Sequence, residues 1–342
     1  MGLPNPTLSF TIPSLHDDLA IQCRIYHPHP SSRNHPIVIA HPYAPLGGCF
    51  DDPVVGTVGN EFLKMGWVVA TFNFRGAGGG HTSWTGRAEG RDYESVVGVL
   101  VGYIGGLRAF GGEDKGESRG RAAEKERSAE KTSERTVHLI LAGYSYGSLI
   151  TTHLPPTPQI LSRFANPAEG TAAAEIWARH GSHGHNCDDG DEDQIGDEED
   201  KDTPQKEEKK IDGFGTEVRV KSYYLLVSPL LPPISSLATM ALWSVFSSSS
   251  LSVSASKKHD DPFQKMRENP SFAVFGDHDS FTSIKKLRHW ATRLEEESGG
   301  LFGFAIAEGG GHFWREEGAV SVLREGLKGW VDKHFKDNMD DK

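Results

Sequence analysis

At 342 residues with 37% hydrophobic side chains, the chain can bury the core of one sizeable α/β domain once two polar tracts that dilute it are set aside. Its net charge of −11 is local, because the acids between Asp188 and Asp202, opposed by Lys201 alone, hold −9 of it; a remainder so close to neutral argues against nucleic acid as a partner. Three cysteines, Cys23, Cys49 and Cys187, are too few for a disulfide framework, and no apolar run approaches the roughly 20 residues of a bilayer span, so a cytoplasmic protein without a transmembrane segment is expected.

Leu8–Ile12 and Leu19–Tyr26 alternate polar and apolar residues about a polar turn at residues 16–18, the pattern of an N-terminal antiparallel hairpin. Ile37–Ala40 is wholly apolar, as in a strand covered on both faces. The loop His41-Pro42-Tyr43-Ala44-Pro45-Leu46-Gly47-Gly48 follows, then a helix over Val54–Met65 that stops at Gly66, and a buried strand over Trp67–Phe72. A second loop, residues 73–80, is dense in glycine, and Glu89–Leu107 reads as a helix weakened by Gly98, Gly102, Gly105 and Gly106.

Residues 110–135, rich in Gly, Glu, Lys, Arg and Ser without periodicity, read as a disordered insertion. The next strand runs over Val137–Ala142. Residues 155–215 read as a second, acidic disordered insertion, with a short helix at Thr171–Arg179 as its one periodic stretch. Within it His180, His183, His185 and Cys187 have side chains that could hold a transition metal, although so acidic and glycine-rich a tract favours ordinary disorder. After a strand over Val218–Val227, residues 229–270 are apolar, then serine-rich, and read as a cap. A strand at Ser271–Phe275, a helix at Ser283–Glu297, a last strand at Leu301–Ala307, a glycine-loosened loop through His312 and a closing helix complete a single domain over 1–342.

Gly143-Tyr144-Ser145-Tyr146-Gly147 stands between the apolar strand and a segment able to continue as helix, the context in which G-x-S-x-G forms a nucleophile elbow. Gly116-Glu117-Ser118-Arg119-Gly120 fits the same pattern but has charged residues where the strand should be, so context selects Ser145. A serine hydroxyl needs a base to take its proton, and the base needs a carboxylate to fix its tautomer. His312 follows the last strand and Asp279 the one before it, with Asp277 a competitor for the acid. Strands alternating with helices imply a mostly parallel sheet covered on both faces, with its site at the carboxyl ends of the strands. One oxyanion-hole donor should be the N–H of Tyr146. The other should come from the loop after Ala40, where Pro42 and Pro45 have no N–H, leaving Tyr43 ahead of Ala44.

The order Ser145, Asp279, His312 resembles that of the α/β-hydrolase superfamily. His41-Pro42 with Gly47-Gly48, Asn73-Phe74-Arg75-Gly76, Gly86-Arg87-Ala88-Glu89 with Asp92, the elbow and His312-Phe313 are similar to a subgroup of superfamily hydrolases from bacteria and fungi. The resemblance implies acyl transfer to water, with an ester or thioester as small-molecule substrate and no cofactor, since the reactive groups are all side chains. Peptidase or amidase action by the same triad, or binding of a basic partner by the acidic tract, are the alternatives. Arg75, Glu89 and Asp92 are expected to brace the loop through ion pairs rather than to touch substrate. The two insertions depart from the compact members of the superfamily.

Overall fold

The computed structural model describes residues 2–28, 35–83, 85–110, 135–182, 218–231 and 261–335. The strands are β1 (Leu8–Pro13), β2 (Ala20–Tyr26), β3 (His35–Ala40), β4 (Trp67–Phe72), β5 (Arg135–Tyr144), β6 (Val218–Val227), β7 (Ser271–His278) and β8 (Phe302–Gly311). The helices are α1 (Pro53–Lys64), α2 (Arg87–Phe110), α3 (Tyr146–His153), α4 (Thr157–Ala165), α5 (Ala172–Ser182), α6 (Gln264–Glu268), α7 (Ile284–Glu297) and α8 (Ala319–Phe335). All eight strands share one sheet in the order β1-β2-β4-β3-β5-β6-β7-β8, with β2 antiparallel to both its neighbours and every pair from β4 to β8 parallel. This is the α/β-hydrolase fold.

Alternation within the strands divides the core into two layers. Val38 and Ala40 of β3 face one side with Val97, Leu100 and Ile104 of α2 and Leu149 of α3. Ile37 and Ile39 face the other with Val55, Val58 and Phe62 of α1 and Leu323, Leu327 and Trp330 of α8. Because every residue of β3 and β4 is buried, neither strand can show the polar alternation of a half-solvated one. Asp52 starts α1 by accepting hydrogen bonds from the Val54 and Val55 N–H groups, with Pro53 at the first helical position.

Helix α2 is longer than its glycines suggest, and one of them explains why. A β-carbon on Gly98 would lie 2.2 Å from the ring of Phe164, which is fully buried there. Tertiary packing of α4 on α2 thus outweighs the weak helix propensity of glycine.

The expectation of a disordered insertion from 155 to 215 is corrected over its first part. Residues 157–165 form α4, which was not expected, and residues 172–182 form α5 where a short helix was; Ile160, Phe164 and Ile176 are buried among α2 and its neighbours. The apolar residues of α4 are too few to stand out beside the acidic run, yet with α5 they complete a core layer. That acidic run, residues 111–134, the cap from 232 to 260, and the side chains of His180, His183, His185 and Cys187 lie outside the described residues. The end of the segment read as a cap, residues 261–270, carries α6 and leads into β7.

Arg75 ties the loop after β4 to two other elements. Its guanidinium donates to Asp92 of α2 at 2.9 and 2.7 Å and to Asp17 at 2.9 and 3.0 Å, and it reaches the Ser14 hydroxyl at 3.1 Å. Ser14 in turn donates to Asp92 at 2.6 Å. Asp92 is fully buried whereas Asp17 is 47% exposed, so the two carboxylates matter unequally. Removing one member of a buried pair strands its partner's charge, whereas an exposed pair contributes little. Asp92→Ala should therefore lower the unfolding free energy in urea by about 3–5 kcal/mol, and Asp17→Ala by at most about 1 kcal/mol.

Candidate active site

The end of β5 turns into α3 through Ser145, which sits at φ 54° and ψ −114°. The turn has no room for side chains on its flanks. A β-carbon on Gly143 would lie 2.2 Å from the Gly147 carbonyl carbon, and one on Gly147 would lie 2.4 Å from the Ala40 oxygen. The second contact places the loop after β3 directly against the elbow. The Ser145 N–H donates to the Val227 oxygen at 2.9 Å, fixing the turn to the end of β6.

The structure brings Ser145, His312 and Asp279 together. His312 Nε2 stands 2.8 Å from Ser145 Oγ, and its Nδ1 stands 2.7 Å from Asp279 Oδ2. With the Nδ1–H donated to Asp279, Nε2 is left to accept the serine proton. The other oxygen of Asp279 accepts from the Phe281 and Thr282 N–H groups at 2.8 and 2.9 Å, so the carboxylate is buried with its charge met on both sides.

Asp277 does not reach the histidine. Its carboxylate accepts from the Gly309 N–H at 2.7 Å, tying β7 to β8. Strand β8 also runs further than its sequence suggests, since residues 308–311, expected as a loosened loop, continue it. The two strands close tightly here: a β-carbon on Gly276 of β7 would lie 1.9 Å from the Gly310 oxygen, while Gly309 takes a positive φ with open space around it. His312 therefore leaves a strand end held by its neighbour.

Tyr43 precedes a short 3-10 turn, Ala44–Leu46, and Tyr146 is the first residue of α3. The N–H of a first helical residue has no acceptor within its helix, which leaves that of Tyr146 available above Ser145. The two tyrosine rings lie 5.0 Å apart, so both candidate donor residues border one space. Gly48 lets the loop fold back, because a β-carbon there would lie 2.2 Å from the Pro42 oxygen.

His41 is the functional neighbour whose role sequence reasoning did not assign. Fully buried, it accepts from the Phe74 N–H through Nε2 at 2.9 Å and donates from Nδ1 to the Pro42 oxygen at 2.5 Å. It joins the loop after β3 to the loop after β4. Burial pushes its pKa down to about 4, so the imidazole stays neutral and can act as donor and acceptor at once.

Aromatic rings flank His312. The Phe281 ring lies 4.4 Å and the Phe313 ring 5.3 Å from that of His312, and Phe313 is 52% exposed. Glu89 is buried and accepts from the Ser83 N–H at 2.7 Å and from its hydroxyl, bracing the loop ahead of α2, as Arg75 and Asp92 brace the loop after β4. Among the described residues no group of three or more His, Cys, Asp or Glu could hold a metal ion, and no helix is long and apolar enough to cross a membrane.

No family model matches the chain, and no curated protein matches it either. Solved structures do resemble it. A serine hydrolase without a lid from Xanthomonas campestris is 15% identical with a TM-score of 0.48, covering 97% of each chain. An esterase from Pyrococcus furiosus is 13% identical with a TM-score of 0.46, covering 95% of this chain and 90% of its own. A propionate-bound esterase from Thermogutta terrifontis is 13% identical with a TM-score of 0.45, covering 98% and 96%. The fold assignment stands on the strand order itself.

Because His41 is neutral when folded and ionises near 6.5 when unfolded, the unfolded chain takes up the extra proton between those values. Its contribution to stability is complete above about pH 6.5 and declines as pH falls toward about 4, by up to about 3 kcal/mol. Urea titrations across that interval should show the fall, and His41→Asn should flatten it.

Proposed function

We propose that this protein is a serine hydrolase that transfers an acyl group from a carboxylic ester or thioester to water. The observation that carries this reading is the single imidazole that meets Ser145 Oγ at 2.8 Å on one side and Asp279 at 2.7 Å on the other. Ser145 Oγ attacks the acyl carbonyl while His312 Nε2 takes its proton, and Asp279 steadies the imidazolium. The carbonyl oxygen gains negative charge, which the N–H groups of Tyr43 and Tyr146 meet. Collapse breaks the bond to the alcohol or thiol, which leaves with the proton from His312. Water, deprotonated by the same nitrogen, then attacks the acyl-enzyme and releases the acid, restoring the Ser145 hydroxyl.

Backbone strain supports a nucleophile at this position. A serine at φ 54° is uncommon and costs about 1–3 kcal/mol, which persists where function or surrounding structure demands it. The apolar border formed by Phe281 and Phe313 supports an apolar acyl or alcohol group over a charged one. The cytoplasm as its compartment rests on the low cysteine count.

A fluorophosphonate probe should label the folded protein at Ser145 and nowhere in Ser145→Ala, read by mass spectrometry; a wild-type protein that stays unlabelled removes the hydrolase reading. On a nitrophenyl ester, Ser145→Ala and His312→Ala should each lose about 10⁶-fold in kcat, and Asp279→Asn about 10⁴-fold. Faster turnover of aminoacyl anilides than of esters would move the assignment to a peptidase or amidase.

A further inference from the structure

The triad accounts for the ring of His312 and leaves its backbone unexplained. The carbonyl of His312 accepts a hydrogen bond from the Tyr144 hydroxyl at 3.0 Å and a longer one from the Ser228 hydroxyl at 3.4 Å. Trp314 Nε1–H donates to that same Ser228 oxygen at 3.0 Å. All four residues are buried. Tyr144 immediately precedes the nucleophile, so two consecutive hydroxyls of the elbow hold the two ends of one residue. Ser145 meets the ring and Tyr144 meets the carbonyl.

Backbone strain marks the same place. Among the described residues the non-glycine positions with positive φ are Asp18, Ser145, Ser228 and Trp314. The last three belong to this cluster. For a bulky tryptophan such a conformation is an outlier, kept only where the surroundings over-determine it. Here they include the indole bond to Ser228 and the tie from the Ser228 N–H to the Val274 oxygen at 2.8 Å. The ends of β5, β6 and β8 are thereby drawn to one carbonyl.

We infer that Tyr144 is a positioning residue whose hydroxyl, seconded by Ser228, fixes the backbone of His312 and so aims its imidazole between Ser145 and Asp279. The inference rests on the triad reading for its kinetic consequence, since a reacting group displaced by about 1 Å can lose about 10²-fold in rate. Burial pushes the ionisation of Tyr144 well above that of an ordinary phenol, so its hydroxyl remains a donor wherever His312 acts as a base. The ring itself packs in the layer that contains Ile140 and Ala142, and phenylalanine would preserve that packing.

Tyr144→Phe removes the hydroxyl alone. Turnover of a nitrophenyl ester should fall about threefold to tenfold in kcat with KM unchanged, the loss of one hydrogen bond that acts on the base. Adding Ser228→Ala should cost more than the two separate losses combined, because in each single variant the remaining hydroxyl still holds the carbonyl in part. An unchanged kcat in Tyr144→Phe, or a rise in KM alone, overturns the inference. A crystal structure of the double variant reads the positioning without turnover: the Nε2 to Oγ separation should exceed the 2.8 Å of the parent, and an unmoved, equally ordered ring overturns the inference. A wild-type protein inert to fluorophosphonate sinks the hydrolase reading instead, and the crystal structure still decides the positioning.

Discussion

Gly143 and Gly147 stand back to back where β5 ends and α3 begins, and the absence of two β-carbons lets strand, helix and the loop after β3 occupy one place. Any larger residue at either position would meet backbone atoms at 2.2–2.4 Å, which cannot move aside as a side-chain tip can. The close approach sets the height of Ser145 above the sheet and the position of the neighbouring N–H groups together. The Ser145 hydroxyl and the N–H groups beside it are therefore placed by one steric constraint rather than by two separate ones.

Around that constraint the loops are braced from several sides. His41 joins the loops after β3 and β4 through a neutral imidazole that donates at one nitrogen and accepts at the other. Arg75 carries the second of these loops onto α2 and the N-terminal hairpin. Asp279 is held by two backbone N–H groups, and the loop bearing His312 by hydroxyls from β5 and from the residue after β6. Each brace is a buried polar group with its partners in place, the condition under which burial of polar atoms does not destabilise a fold. The side chains that converge at the site are thus held by groups outside it.

Much of this was legible in the residues. The wholly apolar run at Ile37–Ala40 and the buried strand at Trp67–Phe72 announced a sheet covered on both faces, and the strand before Ser145 and the helix after it were legible in the residues around it. What remained hidden depends on distance in the fold. Helix α4 is anchored by Ile160 and Phe164, and the slot for Phe164 exists only because Gly98, 66 residues earlier, lacks a side chain. Read locally, that glycine weakens a helix; read in three dimensions, it receives a ring. Asp277 and Asp279 are separated by a single residue and a change of direction at the end of β7, which is a matter of strand register rather than of composition. Gly309, Gly310 and Gly311 suggested a loosened loop and instead continue β8, where a β-carbon on Gly310 would crowd Ala307 while Gly309 takes a positive φ with open space around it, because a glycine run reads alike in a loop and in a strand.

The left-handed conformation at Ser145 also filters which element could stand in for oxygen at that point. A thiol on an unbranched carbon would fit the same turn, whereas threonine, with a methyl on its β-carbon, would meet the backbone on entering it. If Ser145 attacks substrate as proposed, sulfur is sterically open to this turn as an alternative attacking atom whereas a β-branched secondary alcohol is strained there, so the geometry of a single turn bounds the chemistries that point substitution at its centre could reach.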